Sequence, residues 1–129
     1  MKTINVVAAI IVEDNKFLIA QRGYGEYKDY YEFPGGKIEI NETKIEALKR
    51  EIKEELSVDI EINSFFMNVE YDYPTFHLIM DTYLCSLKSK QLIAKEHLSK
   101  RFVSIDEIDN YLFLPADEII IEKMKRTFK

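Results

Sequence analysis

The stretch GKIEINETKIEALKREIKEELSV, running from Gly36 to Val58, decides how this chain is read, because it sets a dense acidic pattern on a helical period. Counted from Glu51, the carboxylates of Glu54 and Glu55 stand at i+3 and i+4, so all three project from one face of a helix within a single turn. Like charges at that spacing repel by roughly 0.2–0.5 kcal/mol per pair. A divalent cation would turn the repulsion into coordination, and hard oxygen ligands favour magnesium, with manganese as a substitute. The competing interpretation is a solvated, charge-rich helix with no ligand at all.

What precedes the acidic face supports a defined helix. Thr43 followed by Glu46 matches a capping box, and Glu42 adds negative charge near the positive helix end, so the spacing predicts a helix starting there. Ile45, Leu48, Ile52 and Leu56 then form one apolar stripe for burial. Arg50, four residues before Glu54, is placed to pair with a carboxylate and hold it in one rotamer. Upstream, Tyr31-Glu32-Phe33-Pro34-Gly35-Gly36-Lys37-Ile38-Glu39 carries a Pro-Gly-Gly turn that leads into the helix and offers a backbone carbonyl as a further ligand.

These residues resemble the signature of the Nudix hydrolase family, Gly-x5-Glu-x7-Arg-Glu-U-x-Glu-Glu-x-Gly-U with U a bulky apolar residue. Gly36, Glu42, Arg50, Glu51, Ile52, Glu54, Glu55 and Val58 fall in register. Ser57 departs from it where the family has glycine, at a point that ends the helix with positive φ. Beyond the signature, the chain is similar to the MutT-like branch through Val6 to Ile11, Ala20-Gln21-Arg22, the Glu32 to Lys37 loop, Glu96-His97 and Leu114-Pro115-Ala116-Asp117.

The resemblance implies an α/β Nudix fold, an α/β/α sandwich around a mixed sheet, and magnesium-dependent hydrolysis of nucleoside triphosphates. Water would attack the β-phosphorus and release nucleoside monophosphate and pyrophosphate. It further implies that Glu51, Glu54 and Glu55 with the Gly35 carbonyl hold the metal. Glu96 would add a ligand or accept the proton of the attacking water, and Arg50 would support the carboxylates. Substrate-binding candidates are Arg22 for a phosphate, Glu32 beside the turn, Lys37 as an assistant, and Phe33 and Pro34 around the base.

Asp117 bears on base choice. An ionised carboxylate only accepts hydrogen bonds, which suits the exocyclic amine of cytosine. Oxidised guanine also presents N–H donors, and Asp117 is equally placed to cap the last helix. Other readings are a different nucleoside diphosphate-X substrate, such as a sugar nucleotide or dinucleoside polyphosphate, and a nucleotide-binding domain without catalysis. His77 reads as a hydrogen-bonded structural histidine, and His97 as a weaker base than Glu96.

A chain of 129 residues with 47% hydrophobic content is expected to form one domain over residues 1–129, burying roughly two-thirds of its unfolded surface. The single cysteine, Cys85, has no partner for an internal disulfide and is expected in the core, in keeping with a reducing cytoplasm. No stretch approaches the roughly 20 apolar residues of a membrane span, and the start shows no signal-peptide pattern. A net charge of −5 argues against nucleic-acid polymers as partners, while small nucleotides accompanied by a cation are compatible with it. A monomer or a homodimer would serve equally.

Along the chain, residues 4–12 and 16–22 read as a hairpin turning at Glu13-Asp14-Asn15. Residues 23–31, with two glycines and four tyrosines, are either a loop over a pocket or an ordinary connection. Residues 59–72 and 75–88 make a second hairpin around Tyr73-Pro74, and 100–104 a short strand. Ile105 to Leu112 is expected as a short helix, and Ala116 to Phe128 as a final one with Ile119, Ile120 and Met124 inward.

Overall fold

Val7 through Ile11 is apolar at every position, the pattern of a strand buried on both faces. In the computed structural model, which describes residues 1–88 and 99–128, this run is the centre of strand β1 (Lys2–Glu13). It is followed by β2 (Lys16–Gln21), β3 (Tyr31–Glu32), β4 (Gly35–Lys37), helix α1 (Lys44–Leu56), β5 (Ile60–Tyr73), β6 (Phe76–Leu87), β7 (Lys100–Ser104) and helix α2 (Pro115–Thr127). The main strand order is β3-β2-β1-β6-β5, with β4 also on β1 and β7 also on β2. The β1–β6 pairing is parallel and the others are antiparallel, so the sheet is mixed.

Alternation along β1 divides the interior. Val7, Ala9 and Ile11 join Leu48 and Ile52 of α1, whereas Ala8 and Ile10 join Ile120 and Met124 of α2. A helix therefore covers each face, giving the expected α/β/α sandwich. Cys85 is buried in the α1-side core, where burial pushes its thiol up to about 12.

The first hairpin turns at Asp14 and Asn15, both at positive φ (51° and 62°), as in the turns whose twist matches paired strands. Its ladder is short. Only Val12↔Phe17 and Glu13↔Lys16 pair, after which β2 leaves β1 for β7 and β3, and β4 takes the vacated edge. The second hairpin closes tightly, with Tyr73 opposite Phe76.

Three expectations require correction. Ile105 to Leu112 forms only a 3-10 turn at Ile108–Asn110, because the following chain extends to exchange hydrogen bonds with Tyr31: its N–H donates to Leu112 and its carbonyl accepts from Leu114. In α2 the inward face is Ala116, Asp117, Ile120, Ile121 and Met124, and Ile119 remains 38% exposed beside it. Ile45 of α1 is also partly exposed, lying in the opening turn ahead of the packed stretch of Ala47, Leu48 and Ile52.

The capping box forms as the sequence predicts: Thr43 Oγ1 accepts from the Glu46 N–H and Glu46 Oε1 accepts from the Thr43 N–H. At the other end Ser57 adopts φ 58°, ψ 32°, the left-handed conformation glycine favours. Ser57→Gly is therefore expected to stabilise the fold by about 0.5–1 kcal/mol in denaturant unfolding, with unchanged far-UV dichroism.

Candidate active site

The site is built where α1 crosses β4. The Ala9 N–H donates to the Pro34 carbonyl (2.8 Å) and the Ile38 N–H to the Asn5 carbonyl (3.1 Å). With Gly35 opposite Ala8, the antiparallel alternation turns the Gly35 N–H and C=O away from β1. The outward N–H favours the charged form of the Glu55 carboxylate on α1. The two glycines differ: a side chain on Gly35 would run into the Val7 carbonyl and the Ala8 backbone, whereas one on Gly36 would displace the Glu51 carboxylate from its position.

Arg50 organises the acidic residues around this contact. Its Nε and Nη2 donate to the two oxygens of Glu42 at 2.6 and 3.0 Å, and Nη2 also donates to the Lys37 carbonyl at 3.0 Å. Nη1 lies 3.3 Å from Glu51 and donates to Glu54 at 3.2 Å. One guanidinium thus ties the turn, the approach to α1 and the acidic face together. These bonds hold the Glu42 carboxyl below its usual range and raise Arg50 further above its own.

Glu55 behaves in the opposite way. Burial, then the charges of Glu51 and Glu32, push its carboxyl up to about 7, against the pull of Lys100 and the Gly35 N–H. Glu32 is raised by burial and lowered by Arg22, whose Nη1 stands 3.7 Å away. Arg22 also donates from Nη2 to the Tyr24 hydroxyl, and its Nε is buried with no hydrogen-bond partner among the described residues. Asp117 is buried in the first turn of α2, where Oδ2 accepts the Phe33 N–H at 2.9 Å. Burial pushes its carboxyl up to about 8.

The structure thus joins Glu51, Glu55, Gly35, Gly36 and Arg50 at one edge, and Arg22, Glu32, Phe33 and Asp117 nearby. It separates others. Glu54 is turned to Arg50, and among the described residues no three His, Cys, Asp or Glu side chains converge into a complete metal cluster. Glu96 and His97 lie outside the described residues. Phe33 is 4% exposed and stacks on Phe113, so its ring packs the core, and Pro34 offers its carbonyl to β1. Lys37 contributes through its backbone carbonyl. Asp117 does not cap α2: the N-cap position is Leu114, without a side-chain bond, and Pro115 follows it. His77 is hydrogen-bonded to Asp72 and Glu70 at the β5–β6 hairpin, as a structural histidine would be.

A hard divalent cation fits this donor set. Magnesium is commonly held by one or two carboxylates, with waters and substrate phosphates completing its shell. Glu51 and Glu55 supply two carboxylates beside the outward Gly35 carbonyl. Three residues escaped the sequence reading: Lys44, Asn68 and Asp81, which bond one another beneath α1. The available signals were a lysine in the first turn of a helix and an aspartate inside an apolar strand.

Comparison with known proteins agrees with this geometry. The NUDIX domain family model matches residues 6–123. The chain is 32% identical to the 8-oxo-dGTP diphosphatase of Escherichia coli strain K12, over 98% of this chain and 99% of that protein. It is also 32% identical to the CTP pyrophosphohydrolase of the same organism, over 95% and 91% of the respective chains. The solution structure of MutT from methicillin-resistant Staphylococcus aureus 252 superposes with a TM-score of 0.73 at 40% identity, covering 95% of this chain and 96% of that one. Signature, fold and relatives together place the chain in the NUDIX family, as a MutT-like hydrolase acting on acid anhydrides.

Proposed function

We propose that the chain is a magnesium-dependent nucleoside triphosphate pyrophosphohydrolase, acting on oxidised or otherwise modified nucleotides of the 8-oxo-dGTP or cytidine type. The observation that carries this reading is the approach of the Glu51 carboxylate to Gly36, with Glu55 one turn further along α1 and near enough for its carboxyl to be raised by Glu51, which sets two carboxylates beside the outward Gly35 carbonyl. The names of the full-length relatives support the substrate class.

Such hydrolysis needs an in-line water, neutralised phosphate oxygens and a proton acceptor. Magnesium, when bound, supplies positive charge to the phosphates and acidifies a coordinated water. Glu51, Glu55 and the Gly35 carbonyl would hold it, with Glu54 available once released from Arg50, and Glu96 as a further ligand or base. Arg22, with its unpartnered Nε, grips a phosphate oxygen, and Lys37 adds charge beside it. Water attack at the β-phosphorus yields the monophosphate and pyrophosphate.

Asp117 reads the base in this scheme, with a change from the expectation of an ionised acceptor. Held up to about 8, it carries a proton at neutral pH and can donate as well as accept. The preference for a cytosine amine therefore loses its support, and oxidised guanine stands equally. The scheme is one domain over residues 1–129, acting as a monomer or a homodimer.

Pyrophosphate release measured across ordinary, oxidised and methylated nucleoside triphosphates tests the proposal. Chelation should abolish turnover, and Glu54→Gln and Glu55→Gln should each lower it by about 10² or more with the fold intact. Near-native rates in both variants, or orthophosphate as the product, would reject it. Asp117 gives a separate pH signature. Its folded pKa is raised, so the stability it confers is complete below about 4 and is lost as pH rises towards 8. Denaturant unfolding of Asp117→Asn should flatten the decline between pH 5 and 8 by at least about 1 kcal/mol.

A further inference from the structure

A buried charge crosses the sheet beneath the helix that carries the site. Asp81, 7% exposed, stands on β6 where its neighbours two residues along, Tyr83 and then Cys85, belong to the α1-side core. An aspartate there is costly unless paired. It is paired twice: Oδ2 accepts from Lys44 Nζ at 2.5 Å, and Oδ1 accepts from the Asn68 side-chain amide of β5 at 2.8 Å. Lys44 opens α1, where the helix dipole disfavours a cation. Two unfavourable placements that meet in one contact call for a positional explanation.

The ladder registers supply it. Gly36 of β4 is opposite Val7 of β1, Val7 is opposite Asp81, and Asp81 is opposite Asn68. These four residues form one straight row across four strands. Helix α1 touches the row twice, with Lys44 on Asp81 and with Glu51 on Gly36. The rise from residue 44 to residue 51 is about 10.5 Å at 1.5 Å per residue. The two strand steps from β6 to β4 span about 9.6 Å. The two contacts of the helix are thus spaced along its axis about as far apart as the strands on which they land.

We infer that Lys44 and Asp81, steadied by Asn68, are a positioning pair that sets where along its axis α1 delivers Glu51, and with it Glu54 and Glu55, over Gly35 and Gly36. Neither side chain touches substrate. This role rests on the proposed function for its kinetic consequence, but its structural consequence is independent of any substrate.

The test compares wild type with Lys44→Met, which keeps the aliphatic stem, Lys44→Arg, which keeps the charge, and Asp81→Asn. Lys44→Met and Asp81→Asn should lower kcat for pyrophosphate release about 10-fold or more with KM within about twofold. In metal-free protein they should also shift the backbone amide resonances of Glu51, Glu54 and Glu55. Lys44→Arg should restore both readouts. Unmoved resonances and unchanged kcat in folded Lys44→Met would overturn the inference, as would a Lys44→Met that fails to fold, which would make the pair a plain stability element. A wild type inactive on every triphosphate would sink the functional reading alone, since the amide shifts still decide the positioning role.

Discussion

The Glu51 carboxylate of helix α1 lies in the space that a Cβ on residue 36 would take, so the absence of a side chain there is what lets this carboxylate come down onto β4. That contact determines the rest of the local design. The second glycine lets β4 reach the edge of β1 without striking the Val7 carbonyl, and the antiparallel alternation then frees one N–H and one carbonyl at Gly35 for use outside the ladder. A rigid strand edge and a rigid helix face meet at a spacing that loops alone could not hold.

Charge is distributed unevenly over this frame. Arg50 neutralises the outer carboxylates, Glu42 and Glu54, and touches Glu51, so much of the acidic cluster is compensated within the protein. Glu55 is not: its like-charged neighbours Glu51 and Glu32 raise its carboxyl above the usual range. The electrostatic deficit therefore sits beside the free Gly35 carbonyl, on the side where a cation would be useful. Towards α2, Arg22 and the buried Asp117 flank Glu32, which links the two regions by charge more than by direct contact.

The helix and its acidic face were legible because period, capping box and glycine pair are local signals that agree with one another. The glutamate–arginine pairing was legible for the same reason, at four residues' separation. What could not be read depends on partners distant in sequence. Continuous apolar, β-branched-rich runs marked β1 and β2 as strands but not that they part after two residue pairs, since that depends on β4, β6 and β7 competing for the edges. Ile105 to Leu112 has a helical composition, yet Tyr31 draws its end into an extended bridge. Asp117 follows a proline like a helix cap, and only the tertiary structure reveals that its carboxylate is buried on the Phe33 amide. Asp81 and Lys44 are 37 residues apart, and no local pattern connects them.

Strand β1 has an additional consequence through its position. Its odd residues face one interior and its even residues the other, while ten of its residues run in step with β6. The two hydrophobic halves of the molecule consequently share a single spine and have no separable existence: loosening one withdraws support from the other. Global unfolding is accordingly expected to take both halves together.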